Sequence, residues 1–189
     1  EATELQFFMK LFRDGVYSNK PAAVVREYTT NAIDEHIAHG VKVPIQISCS
    51  SIQKPELVIR DFAKGLTDKQ MQEIYVSYGK STKRDSNDVA GCMGIGCKSG
   101  FAYSKNYTIT STCNEDGLRI RRVYSAIIDE NDIGALKLMG ESELPPHGKE
   151  NSTGIAIKVP IEGKDIPAFN SEIRNIFLSS TFPIDLHNK

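Results

Sequence analysis

No tryptophan occurs among the 189 residues, no two cysteines stand in a C-x-x-C pair, and no apolar run approaches the roughly 20 residues needed to cross a bilayer. Each absence removes a class of explanation. Cys49, Cys92, Cys97 and Cys113 lack the spacing of a four-cysteine zinc site, and reduced thiols in a cytoplasmic compartment are the expectation. With no long apolar run and no signal-peptide pattern at the start, a soluble chain is expected. An excess of one charge is also missing. Lysines and arginines number 23 against 24 acids, a formal net charge of -1, so nothing global draws the chain to nucleic acid or an anionic membrane. Internal repeats, low-complexity tracts and an interdomain linker are absent too, which leaves a single domain over residues 1–189 as the default. What is present, 40% hydrophobic and 25% charged residues, suffices for one sizeable core.

Periodicity orders the chain coarsely. Leu5, Phe8, Met9 and Phe12 recur at helical spacing up to Gly15, which predicts a short amphipathic helix over residues 2–13. Asn19-Lys20-Pro21 opens a longer helix that Gly40 stops. "VPIQISCSS" and "ELVIRDFA" read as strands, and Thr67-Asp68 caps a helix running to about Tyr75. Residues 77–96, "SYGKSTKRDSNDVAGCMGIG", have no apolar period and read as a long functional loop, ending in a short helix near 97–103. "YTITST", "LRIRRVYSAII", "ALKLMG" and "GIAIKVPI" follow as strands, with turn signals at 114–117 and at Pro145-Pro146, and "SEIRNIFLSS" closes as a helix. Early helices, late strands and a final helix predict an α+β two-layer sandwich, its mixed and mostly antiparallel sheet covered on one face by helices.

Within the second helix, "REYTTNAIDEH" carries Glu27, Asn31 and Asp34. At about 3.6 residues per turn, spacings of four and seven put the three on one face. No cation stands four residues on to pair with the acids, so a solvated stripe and a ligand-lined cleft both remain open on the helix alone. Asp61 ends an apolar strand beside a flexible turn containing Gly65, placing a carboxylate where it can accept from an exocyclic amine. Gly91, Gly94 and Gly96 in "GCMGIGC" let backbone amides approach phosphate oxygens ahead of a helix.

Taken in order, Glu-x-x-x-Asn-x-x-Asp, Asp-x-x-x-Gly, Gly-x-x-Gly-x-Gly and the Thr-Gly at 153–154 resemble the four boxes of the GHKL ATPases, the superfamily of gyrase, MutL proteins, heat-shock chaperones and histidine kinases. The stretches "NKPAAVVREYTTNAIDEH", "VIRDFAKGLTD", "YVSYGKSTKRDSNDVAG" and "GIGCKSGFAYS" are further similar to the N-terminal domain of phage lysis-inhibition proteins of the RIIA type. That resemblance implies a fragment of a longer chain, in a host cytoplasm.

It also implies roles. Glu27 would deprotonate the attacking water, and its presence favours hydrolysis over histidine-kinase chemistry, which lacks this acid. Asn31 would offer its amide oxygen to Mg²⁺, Asp34 would line the nucleoside side, and Asp61 would accept from the adenine amine and so reject guanine. Thr153 would complete the adenine contacts, with Gly65, Gly91, Gly94 and Gly96 shaping the pocket. Lys83, after Ser81-Thr82, resembles a lid lysine at the phosphates, and Lys98 would help neutralise them. One departure stands out: Ala63 occupies the usual first glycine of Asp-x-Gly-x-Gly, which strains the turn if φ there is positive. The implied ligands are ATP and Mg²⁺, the implied partners a second copy on ATP binding and an unidentified protein, with nucleic acid unproven. A nucleotide-gated interaction module without useful catalysis is the alternative.

Three further features read as structural. Gly91 to Lys98 lacks Walker spacing because Cys97 intervenes. His36 and His39 read as surface histidines near a helix C-terminus rather than a metal pair. Arg119 and Arg121 of "RIRR" share a sheet face that reads as solvated.

Overall fold

A computed structural model describes residues 18–76, 98–128, 134–145, 148 and 151–187. The helix expected over 2–13 and the whole loop at 77–96 fall outside these. Asn19 caps the first described helix, α1 (Lys20–Ala38), by accepting from the Ala22 N–H at 3.1 Å, and Pro21 occupies the first turn. At its other end Gly40 takes φ +62, the left-handed conformation expected of a helix stop. There follow β1 (Ile45–Ser48), β2 (Glu56–Arg60), α2 (Asp68–Val76) and the single turn α3 (Gly100–Tyr103). After α3 come β3 (Asn106–Glu115), β4 (Leu118–Ile128), β5 (Gly134–Leu144), β6 (Gly154–Pro160), α4 (Ile166–Ser179) and β7 (Ile184–His187).

Seven strands form one sheet in the order β5-β4-β3-β6-β2-β1-β7. All pairings are antiparallel except β1 with β7. Asp116 and Gly117, both at positive φ, make the two-residue turn between β3 and β4, as Asp-Gly demands in a tight hairpin. Alternation decides which face is buried. Ile45, Ile47, Leu57, Ile59, Tyr107, Ile109, Tyr124, Ala126, Ile157 and Val159 point inward and join Val24, Val25 and Tyr28 of α1 and Phe169 and Ile173 of α4. Helices therefore cover one face, and the fold class is the expected α+β sandwich with a mixed sheet.

Two elements differ from the sequence reading. Helix α4 begins at Ile166, five residues before "SEIRNIFLSS", after a 3₁₀ turn at Gly163–Asp165 and with Pro167 in its first turn. Strand β7 was not expected at all. Ile184 and Leu186 do alternate with Asp185 and His187, but four residues after a proline are too short a period to read, and the parallel partner β1 lies far away in sequence.

Long-range polar ties hold α4 to the sheet. Asn170 accepts the Ser50 N–H through Oδ1 (3.0 Å) and donates through Nδ2 to the Ser50 carbonyl (2.9 Å). Ser50 is buried, so Asn170→Ala leaves a donor and an acceptor without partners and is expected to destabilise the fold by about 1–3 kcal/mol. Urea unfolding followed by circular dichroism checks this, and an unchanged midpoint contradicts it.

Arg122, nearly buried on β4, meets Glu115 and Glu141 at 2.6 Å each. The Tyr124 hydroxyl donates to Asp68 Oδ1 at 2.9 Å, fastening the start of α2 to the sheet. Arg119 and Arg121, read above as solvated, are half-buried. Arg119 donates to Asn114 Oδ1 and the Asn151 carbonyl, and Arg121 Nε approaches the Thr112 hydroxyl at 3.4 Å.

Candidate nucleotide site

Strand alternation turns Asp61, the residue after β2, to the helix-covered side, where it is only 5% exposed. A carboxylate there must be satisfied, and two backbone donors do so. Oδ1 accepts the Ala63 N–H at 2.9 Å and Oδ2 the Ile155 N–H at 3.0 Å, while the Asp61 N–H donates to the Ile155 carbonyl at 2.9 Å. Burial pushes the Asp61 carboxyl up to about 6; the two N–H donors and Arg60 pull it down and nearby Glu35 adds to the rise. Each oxygen retains a lone pair for a further donor.

Close backbone approach makes this arrangement possible. Gly154, at φ +126, lies where a Cβ would sit well under 3 Å from the Asp61 carbonyl. Gly65, at φ +69, lies equally close to the Thr112 carbonyl, so the turn after Asp61 packs directly on β3. Leu66 anchors that turn further through both its N–H and its carbonyl to the Ser111 hydroxyl (2.9 and 2.7 Å). Asp116 is the one non-glycine residue at positive φ among the described residues, so Ala63 sits in backbone open to any side chain and its methyl causes no strain there.

Helix α1 forms the adjoining wall. Its buried line is Val25, Tyr28, Thr29, Ala32 and His36, while Glu27 and Asn31 are half-buried on one flank and Asp34 is exposed. The acidic and amide row thus lies beside the apolar face, not on it. Glu35 lies close enough to Asp61 to act on its charge. Asn31 is one turn, about 6 Å, toward the N-terminus from Glu35, and Glu27 about 12 Å. A ligand contacting Asp61 can therefore run along this flank toward Glu27.

His36 overturns its sequence reading. It is fully buried, and its Nε2 accepts the Phe62 N–H at 2.7 Å. Burial holds the imidazole below its ordinary pKa, consistent with an unprotonated Nε2. The signal was present: 25, 29, 32 and 36 continue the core period of α1. His39, by contrast, is exposed beside Glu35.

Past the undescribed segment, Lys98 and Ser99 are buried, and the Gly100 N–H donates to the Tyr28 hydroxyl of α1 at 2.9 Å. A Cβ on Gly100 would collide with Tyr28 and Tyr107. The chain that enters α3 is thus held against α1. Pairing of β2 with β6 brings Gly154 and Ile155 to Asp61, and the half-buried Thr153 directly precedes Gly154. Lys83, Gly91, Gly94 and Gly96 lie outside the described residues. The Thr-Gly motif marked Gly154, but nothing in the sequence alone marked its contact with Asp61, the Ile155 amide or Ser111 as shaping the site, because each acts through the register of strands distant in sequence.

The donor set suits a nucleotide-borne cation. Among the described residues no group of three or more His, Cys, Asp or Glu side chains clusters as a metal cage. A lone amide oxygen such as that of Asn31 fits Mg²⁺, which keeps phosphate and water ligands around one or two protein oxygens. Among the described residues, no helix is long and apolar enough to cross a membrane.

The family model described as histidine kinase-, DNA gyrase B-, and HSP90-like ATPase matches residues 17–149, well over half of the chain. That span includes α1, Asp61 and the sheet through β5, and stops before Thr153. No curated protein matches the chain.

Proposed function

The chain belongs to the histidine kinase-, DNA gyrase B- and HSP90-like ATPases, and from that premise we propose that the flank of α1 beside Asp61 and the β2–β6 end of the sheet binds Mg-ATP and hydrolyses it slowly. The observation that carries this reading is Asp61, a buried carboxylate oriented by two backbone amides, with Gly154 clearing its approach. In this reading Asp61 accepts from the adenine amine, Thr153 lies beside it, and the phosphates run along α1 toward Asn31 and Glu27. Asn31 would hold Mg²⁺ by its amide oxygen. Bound Mg²⁺ supplies positive charge against the phosphate oxygens. The Glu27 carboxylate takes a proton from the water that attacks the γ-phosphorus; the bond to the β–γ bridging oxygen breaks, leaving ADP and phosphate. Gly65 acts as the packing hinge of the base turn. Asp34 would contact the nucleoside side, and Lys83, Lys98 and Gly91, Gly94 and Gly96 the phosphates.

Beyond binding, we assign to the 77–96 segment the part of a lid that closes on ATP and promotes contact with a second copy or a protein partner. We read the chain as nearest the phage lysis-inhibition type within the family, a reading carried by its motif wording. Lysis timing after infection with an Asn31→Ala phage tests it, and unaltered timing speaks against it.

Calorimetric titration with a non-hydrolysable ATP analogue and Mg²⁺ tests the pocket, with the GTP analogue as control. Asp61→Asn is expected to weaken ATP binding about tenfold, because the new NH₂ group faces one of the two N–H donors that the carboxylate satisfied. Binding unchanged in the mutant rejects the assignment of Asp61. The pH dependence has two opposite parts. Asp61 has a folded pKa raised from 3.8 to about 6, so its contribution to fold stability is complete below about 3.8 and is lost as pH rises through about 6. Adenine recognition needs the ionised acceptor and runs the other way. ATP affinity is expected to fall as pH drops through about 6, with the GTP analogue showing no such fall.

A further inference from the structure

Resting on the reading of Asp61 as the base-contacting carboxylate, we propose that His36 is a positioning residue for adenine selection, its Nε2 fixing the Phe62 amide and thereby aiming Asp61.

The peptide unit joining Asp61 to Phe62 carries the carbonyl against which Gly154 packs and the N–H that His36 receives. Rotation of that unit would swing the Asp61 side chain away from the Ala63 and Ile155 amides that orient it. Three groups resist rotation: the Ile155 carbonyl before it, the Asp61 carboxylate after it, and His36 at its centre. Of these only His36 comes from another layer of the fold. It stands on α1, the helix of Glu27 and Asn31, so the element proposed to hold the phosphate end also holds the base end. Its ring is itself immobilised. It is fully buried, with Phe182 edge-on at 5.5 Å between centroids and Phe62 at 6.3 Å. A histidine suits the place because a rigid ring carries an acceptor to a buried amide, whereas an aliphatic side chain would fill the volume and leave the N–H without a partner.

The test compares affinities for ATP and inosine triphosphate, which differ in bearing an amine or a carbonyl at the position Asp61 would read. The wild-type chain prefers ATP, His36→Gln keeps that preference by supplying an amide oxygen, and His36→Leu lowers the ratio of the two affinities by about tenfold. A loss of fold stability alone would reduce both affinities together and leave the ratio intact. His36→Leu binding with the wild-type ratio overturns the proposal alone. Equal wild-type affinity for the two nucleotides overturns the Asp61 reading, and the proposal with it. If His36→Leu does not give a cooperative melt, hydrogen exchange on the wild-type protein decides. Coupling between sites is reciprocal, so the Phe62 amide proton is expected to exchange more slowly with ATP bound than with inosine triphosphate bound. Equal protection by both overturns the inference.

Discussion

Glu27→Ala is expected to lower ATP turnover by about 10²–10⁴-fold, the usual worth of a positioned general base, while the affinity for a non-hydrolysable ATP analogue is expected to stay within about twofold of the original. The asymmetry follows from position. Glu27 lies half-buried on the flank of α1, about 12 Å along the helix from the turn that adjoins Asp61, so it is removed from the base-binding end. It is also no part of the buried line of α1, and its loss opens no cavity in the core. A single-turnover assay with labelled ATP at saturating protein separates the chemical step from binding, which matters because turnover by the 189 residues alone is expected to be weak. Unchanged turnover would move the general base to another residue. Turnover and binding lost together would make Glu27 a binding or structural group. If the chain instead works as a nucleotide-gated interaction module, Glu27→Ala leaves its biological effect intact, so the same variant distinguishes enzyme from module.

Gly154→Ala is expected to destabilise the fold by about 2–6 kcal/mol, combining the strain of an L-residue at this φ with an overpacked contact. Gly154 sits at φ +126, and its missing side chain is what lets β6 pass the Asp61 carbonyl and carboxylate. The two nearest atoms that an added methyl would meet, the Asp61 carbonyl oxygen and carbon, are backbone and cannot swing aside as the end of a flexible side chain could. Relief requires β6 to move from β2, and that movement breaks the Ile155 N–H bond to Asp61 Oδ2. ATP binding should therefore fail even at temperatures where the variant remains folded. Thermal melting with and without the ATP analogue measures both effects. A variant with an unchanged midpoint and intact binding would show that the strand can pass Asp61 with a methyl in place.

Ala63 shows how local spacing and tertiary geometry divide the work. The motif wording marks alanine there as a departure that would strain a positive-φ turn. The backbone places it outside the positive-φ region and uses its N–H to hold Asp61, while Gly65 takes the left-handed position. His36 divides the other way. Its proximity to the end of α1 suggested a surface residue, yet the residue belongs to the core period and ends on a buried backbone amide.

Periodicity and capping by themselves determined most elements of this protein: the long helix from Asn19 to Gly40, the Asp116-Gly117 hairpin, the strand-rich second half and the one-sided sandwich. These signals act over a few residues, through side-chain spacing and backbone preference, and a sequence displays them directly. The order of four motifs likewise pointed to the family. Tertiary structure alone decided the seven-strand order, the parallel β7 and the beginning of α4 at Ile166. It alone showed that Gly154 and Ile155 meet Asp61, that Ser111 holds Leu66, and that His36 joins α1 to the base turn. Those facts depend on register between segments distant in sequence, 94 residues apart for Asp61 and Ile155 and farther still for β1 and β7. No local preference encodes such a meeting; the packing of the whole sheet against α1 and α4 does.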